Sequence, residues 1–187
     1  MQKAFIAVVV VLAVSVVPAF ARGKTQSATA KQMSDQEFVA DAAKANMAEV
    51  ELGKLAETRA SSNEVKTFAK RMVDDHQKGL DRLKTVARNE KITLPTALDP
   101  KDQVLKDRLE KVSGNGFDRA YMRAMIRDHR QEVADFRAES KIAKSADVKQ
   151  YASGTLPVLE DHLKLAQSTD KSIVGVSGKR SIKKPVG

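Results

Sequence analysis

The sequence predicts an all-α protein, a ferritin-like four-helix bundle with a short helix in the long crossover between helices 2 and 3. Three observations carry that prediction. Apolar residues recur at alternating steps of three and four through four long segments, the spacing of one helical face. The junctions inside the first and second pairs of segments are only a few residues long, so the paired helices must lie antiparallel. No stretch of period-two alternation survives and glycine is sparse, so no sheet is expected.

The chain opens on a segment to be set aside before the fold is considered. Lys3 supplies a positive start, Ala4 to Val17 is unbroken apolar sequence, and Pro18 ends the run. Ala19-Phe20-Ala21 then places small residues where a signal peptidase reads them, predicting a cleavable export signal over residues 1–21. The run falls short of the roughly 20 residues that span a bilayer. A periplasmic or secreted location is therefore expected. With no cysteine in the chain, disulfides, thiolate metal sites and lipid attachment through cysteine are excluded.

Residues 22–33 read as a polar linker. Ser34-Asp35-Gln36-Glu37 has the S-x-x-E spacing of a capping box. Behind it, Phe38, Ala42, Ala45, Glu49, Leu52 and Ala56 form the seam of the first helix, which runs to about Ala60. Ser61 and Glu64 repeat the spacing and start the second helix, whose seam is Val65, Phe68, Met72, His76, Leu80 or Gly79, Leu83 and Ala87. Leu94-Pro95 breaks any helix, and Asp99-Pro100 reads as a cap with proline in the first turn of a short helix to about Val112. The third long helix starts at Phe117 and carries Tyr121, Met125 or Ala124, His129, Val133 and Phe136. The fourth runs from about Ser145 to Ser168 with Val148, Tyr151 or Ala152, Thr155, Leu159, His162 and Ala166 on its seam. Pro157 inside it should kink the helix, because it removes a backbone donor and crowds the preceding turn. Residues 34–168 thus form the bundle domain, and residues 169–187 read as a basic disordered tail.

The net charge of +9 is a property of the two ends. Residues 1–31 and 171–187 hold nine basic residues and no acid, and the stretch between balances to zero. A nucleic-acid partner would call for a basic stripe on the folded part, so none is expected. The tail could make weak contact with anionic lipid, although a solvated extension explains it as well.

All three histidines fall on predicted seams, one on each of helices 2, 3 and 4, and Glu49 occupies the seam of helix 1. His76, His129, His162 and Glu49 are therefore the candidate ligands of one divalent ion. Imidazole and carboxylate donors suit zinc, iron, copper or nickel. Asp75, Asp128 and Asp161 each precede a histidine, and a turn of about 100° per residue makes them outer partners or surface charges rather than further ligands. The alternative is that the histidines are polar core residues satisfied by Tyr121, Tyr151 or backbone groups, in an interaction or envelope-structural module without metal. Val73, Ile126 and Leu159 stand three residues before the histidines, so the Glu-x-x-His pairs of a di-iron bundle are missing. No phosphate loop, nucleophile elbow or acid–base carboxylate pair is present, so no catalytic residue is assigned. The scattered methionines read as packing.

Several stretches resemble a bacterial family of exported, ferritin-like proteins of unknown function, often labelled predicted outer membrane proteins. They are Ala48-Glu49-Val50-Glu51-Leu52-Gly53-Lys54-Leu55-Ala56, Phe68 through His76, Phe117-Asp118-Arg119-Ala120-Tyr121 with His129, and Leu156-Pro157 with His162. The resemblance covers about Phe38 to Ser168. It implies the bundle fold and a periplasmic setting, and no established activity. An outer-membrane barrel does not suit a chain without amphipathic strands.

Overall fold

The computed structural model describes residues 33–182, with side chains through residue 175, so the expected export signal and most of the expected linker lie outside the described residues. Within that range the chain forms α1 (Asp35–Arg59), α2 (Asn63–Asn89), α3 (Pro100–Glu110), α4 (Gly114–Ile142) and α5 (Ala146–Ile182). No strand occurs among the described residues.

The starts follow the local chemistry. At Ser34 the capping box is complete: Ser34 Oγ accepts from the Glu37 amide at 3.2 Å and Glu37 accepts from the Ser34 amide at 2.9 Å. α2 corrects the expected cap. Ser62, not Ser61, accepts from the Glu64 amide, and Ser61 is turned to α4. Asp99 caps α3 in front of Pro100, as its sequence requires.

α1 pairs with α2 and α4 with α5 as close hairpins; α2 also packs against α5, and α1 against α4. The four long helices therefore form a ring of neighbours. α3 touches α1 and α4, on the side away from the α2–α5 seam. Gly53 lets α1 approach α2 closely, since a Cβ there would lie 2.7 Å from the Val73 side chain and 3.1 Å from the Ala69 carbonyl oxygen.

The two hairpins hold each other at their turns. Asp118 on α4 is 2 % exposed and accepts from the Ser61 and Ser62 amides, both at 2.9 Å, and from Ser61 Oγ at 2.6 Å. Asp35 on α1 accepts in the same way from the Lys144 and Ser145 amides in the other turn. The same number of residues separates Asp35 from Asp118, Ser62 from Ser145, Val65 from Val148 and Glu49 from Glu132. Each half of the chain is thus one hairpin of a repeated plan.

Two apolar clusters fill the interior. One gathers Phe68, Met72, Phe117, Tyr121 and Met125; the other gathers Phe38, Leu83, Phe136, Tyr151 and Leu159. Each large side chain removed from water contributes about 1.5–3 kcal/mol. That outweighs the cost of polar groups at mid-height, where Asn46, Glu49, His76, His129 and His162 are all buried.

Two expected boundaries move. Met33, assigned to the linker, packs against the core. α5 continues past Ser168, because Thr169 and Ile173 extend the seam of Ala166 at steps of three and four and are both buried. The chain from residue 169 is therefore not a disordered tail as far as the helix extends. α5 also runs through Pro157 as one helix.

Candidate metal centre

Every predicted histidine arrives in the interior. His76 is 4 % exposed, His129 0 % and His162 1 %. His76 Nε2 lies 3.4 Å from His129 Nε2, and His129 Nε2 lies 3.4 Å from His162 Nδ1. Ligand nitrogens about 2.0–2.1 Å from a metal, set in a trigonal or tetrahedral array, stand about 3.3–3.6 Å apart. Two of the three spacings therefore match a three-imidazole metal site, and one nitrogen from each ring lies within 4.8 Å of the others.

The opposite ring nitrogens decide the protonation pattern. His129 Nδ1 faces the Met125 carbonyl at 2.9 Å, His76 Nδ1 faces Asn46 Oδ1 at 3.2 Å, and His162 Nε2 faces Asp75 Oδ2 at 3.1 Å. A carbonyl and a carboxylate can only accept, so His129 and His162 donate there. Asn46 Nδ2 donates to the Ala42 carbonyl at 2.7 Å, which leaves Asn46 Oδ1 as the acceptor for His76. Each imidazole is thus locked by an outer acceptor with its hydrogen pointing away. The three inner nitrogens then present lone pairs to one another with no donor among them. Buried polar atoms do not ordinarily remain so, and outer acceptors of this kind are what metal-bound histidines carry.

Gly79 makes room for this arrangement. A Cβ at Gly79 would sit 2.6 Å from Asn46 Oδ1, so only glycine lets Asn46 reach His76. Burial, reinforced by the neighbouring imidazoles, holds His76 well below its ordinary pKa and pushes His129 down to about 4. Burial also lowers His162, opposed by Asp75. At neutral pH all three rings are uncharged, the form that binds metal.

Glu49 enters the core as expected but on the other side of His129. Its Oε1 lies 3.7 Å from His129 Nδ1, the nitrogen whose hydrogen goes to Met125. It groups with Glu132 of α4 and a ring nitrogen of His129 rather than with the three inner nitrogens. Burial, then the charge of neighbouring acids, raises Glu49 well above the usual carboxylate range and Glu132 to about 8.

A family model described as "Domain of unknown function (DUF4142)" matches residues 21–169. The chain belongs to the DUF4142 family. The sequence matches none of the curated proteins. Among solved structures, this DUF4142 chain is similar to "CopM in the Cu(II)-bound form", at 17 % identity and a TM-score of 0.64 over 75 % of this chain and 98 % of that one. It is also similar to a "putative secreted protein DUF305 from Streptomyces coelicolor", at 16 % identity and a TM-score of 0.60 over 71 % of this chain and 90 % of that one. A DUF305 fragment from Deinococcus radiodurans gives 14 % identity and a TM-score of 0.59 over 78 % and 95 %. At these identities the likeness is one of fold. The family resemblance read from the sequence stands as membership of an uncharacterised family.

Two participants in the DUF4142 chain lie outside the sequence reading. Glu132 follows His129 by three residues, a His-x-x-Glu spacing that puts both on one face. Asn46 precedes Glu49 by three in the same way. Asp75 was expected as an outer partner or surface charge, and it serves His162 across the α2–α5 interface rather than the histidine next to it in sequence. Asp128 pairs with Arg127 at the surface. Neither tyrosine satisfies a histidine: Tyr151 bonds Asn46 and the Gly79 carbonyl, and the buried Tyr121 hydroxyl has no hydrogen-bond partner.

Proposed function

We propose that this protein is an exported ferritin-like four-helix bundle that binds one copper-class ion at His76, His129 and His162, in a metal-handling or stress-protective role in the cell envelope. The observation that carries the reading is the convergence of three imidazole lone pairs, each ring locked from outside by an acceptor. Three neutral nitrogen donors without thiolate suit copper or zinc, and a three-coordinate site favours Cu(I) or Ag(I). CopM, which shares the fold, has been solved with Cu(II), with Cu(I) and with silver bound. A pocket of about 20 Å³ beside His76 and His162 has room for about one water, enough for a fourth ligand.

The ferritin-like assignment rests on direction. The α1–α2 turn meets the start of α4, and the end of α2 meets the start of α5 through Asn89 and Asp147 at 2.6 Å. The crossover therefore returns along the bundle, leaving α2 and α4 parallel on a diagonal, as in ferritin-like folds with one long connection. Export rests on the N-terminal sequence, and it accords with a fold shared with a protein described as secreted. No helix among the described residues is long and apolar enough to cross a membrane. Equilibrium dialysis against Cu(I), Cu(II) and Zn(II), with metal analysis, tests the site. One equivalent is expected for the wild type and none for His129→Ala. A wild-type protein without metal above buffer background would leave the interaction-module reading in its place.

A further inference from the structure

A second group of donors lies outside the histidine centre. Glu49 on α1 and Glu132 on α4 hold equivalent positions in the two hairpins, and one oxygen of each lies within 4.8 Å of the other. Both line a cleft of about 670 Å³ between α1 and α4, which Asp99, Asp102 and Leu105 close from the α3 side. Glu49 is 2 % exposed, yet its Oε2 has no hydrogen-bond partner; Glu132 Oε2 is buried and unpartnered as well. Two neighbouring carboxyl groups in the lining of this cleft thus each carry a buried oxygen without a hydrogen-bond partner.

The cations of the cleft wall, Lys44, Lys101 and Arg127, make no hydrogen bond to the free oxygens of Glu49 and Glu132. Lys44 is paired with Asp41 at 3.0 Å and Arg127 with Asp128 at 2.9 Å, both in the cleft wall. Asp99, Asp102 and Asp135 add further negative charge against Lys101. Acidic residues outnumber basic ones in the lining, and an excess of one sign of charge in a cleft concentrates ions of the other.

We propose that Glu49 and Glu132 form a cation site at the floor of this cleft, taking a hard divalent ion of the Mn²⁺, Mg²⁺ or Ca²⁺ class with water completing its shell. The donors are carboxylate oxygens, the preference of those ions and not of copper. Metal–oxygen distances of about 2.0–2.6 Å let one ion bridge oxygens up to about 5 Å apart, which the pair satisfies. His129 contributes no nitrogen, because its Nδ1 hydrogen is given to Met125. The site therefore uses donor atoms different from those of the histidine centre, although Glu49 stands beside the outer edge of His129.

Mn²⁺ titration of the purified protein tests this, with free ion followed by its electron paramagnetic resonance signal. The wild type and the doubly substituted His76→Ala/His162→Ala protein should each bind one Mn²⁺. Glu49→Gln and Glu132→Gln, which keep side-chain volume, should each weaken binding at least tenfold, with helical content by circular dichroism unchanged. Asp81→Asn, exposed on α2 outside the cleft, should leave binding within about twofold. Failure of the wild type to bind Mn²⁺, or wild-type affinity in either glutamine variant, overturns the proposal. Copper dialysis of the same samples reports on the histidine centre, so one site can fail while the other stands.

Discussion

Gly79→Ala separates the stability of this fold from its metal chemistry. Alanine in a helix interior gains about 0.8–1.0 kcal/mol over glycine. Against that, the new Cβ would stand 2.6 Å from Asn46 Oδ1, so Asn46 must swing away. It then gives up its 2.7 Å bond to the Ala42 carbonyl and its 3.2 Å contact with His76, each contributing about 0.5–1.5 kcal/mol net. The losses exceed the gain by about 0–2 kcal/mol, and urea unfolding should show a folded variant destabilised by no more than that. Copper binding should not be spared. His76 without its outer acceptor is free to turn or to change tautomer, and loss of such a partner lowers metal affinity about 10- to 100-fold. That is about 1.4–2.8 kcal/mol of binding free energy. Competition with a chromophoric chelator measures it. Wild-type affinity in a folded Gly79→Ala protein would refute the assignment of Asn46 as the group that holds His76.

The turn clasps should differ according to burial. Asp118→Ala removes three hydrogen bonds from a buried carboxylate and should cost about 3 kcal/mol in urea unfolding, whereas Asp35→Ala, half-buried, should cost about 1 kcal/mol. Glu139 is buried beside Asp35, and burial with that neighbouring charge raises its pKa above the ordinary value. A raised folded pKa gives stability that is complete below the unfolded value and lost as pH rises through the folded one. Glu139→Gln should therefore flatten the alkaline side of the stability–pH curve, gaining on the wild type as pH rises. A parallel curve for the variant would show that Glu139 titrates normally.

The seams were legible because a period of three and four fixes which face is buried, and His76, His129 and His162 meet because their helices agree in height. Periodicity cannot say which ring nitrogen looks inward. Glu49 was accordingly placed in the core but joined to the wrong side of His129. Asn46 and Glu132 stayed hidden because polar residues three positions from a seam residue read as flank when the apolar pattern alone is followed. The end of α5 was drawn at Ser168 because Ser168-Thr169-Asp170-Lys171-Ser172 is polar, although Thr169 and Ile173 continue the spacing. The hairpin repeat is faint in the sequence because it keeps turn residues and one glutamate per half, while the core residues around them differ.

The reciprocal aspartates also bear on how the molecule can be divided. Asp118 belongs to the second hairpin but completes the turn of the first, and Asp35 does the reverse. A chain cut within residues 91–98 would yield two fragments, each with open amides at its own bend and the missing acceptor on the other piece. Mixed together, the fragments should recover helicity by circular dichroism that neither shows alone. The fold is thus an obligate heterodimer written on one polypeptide.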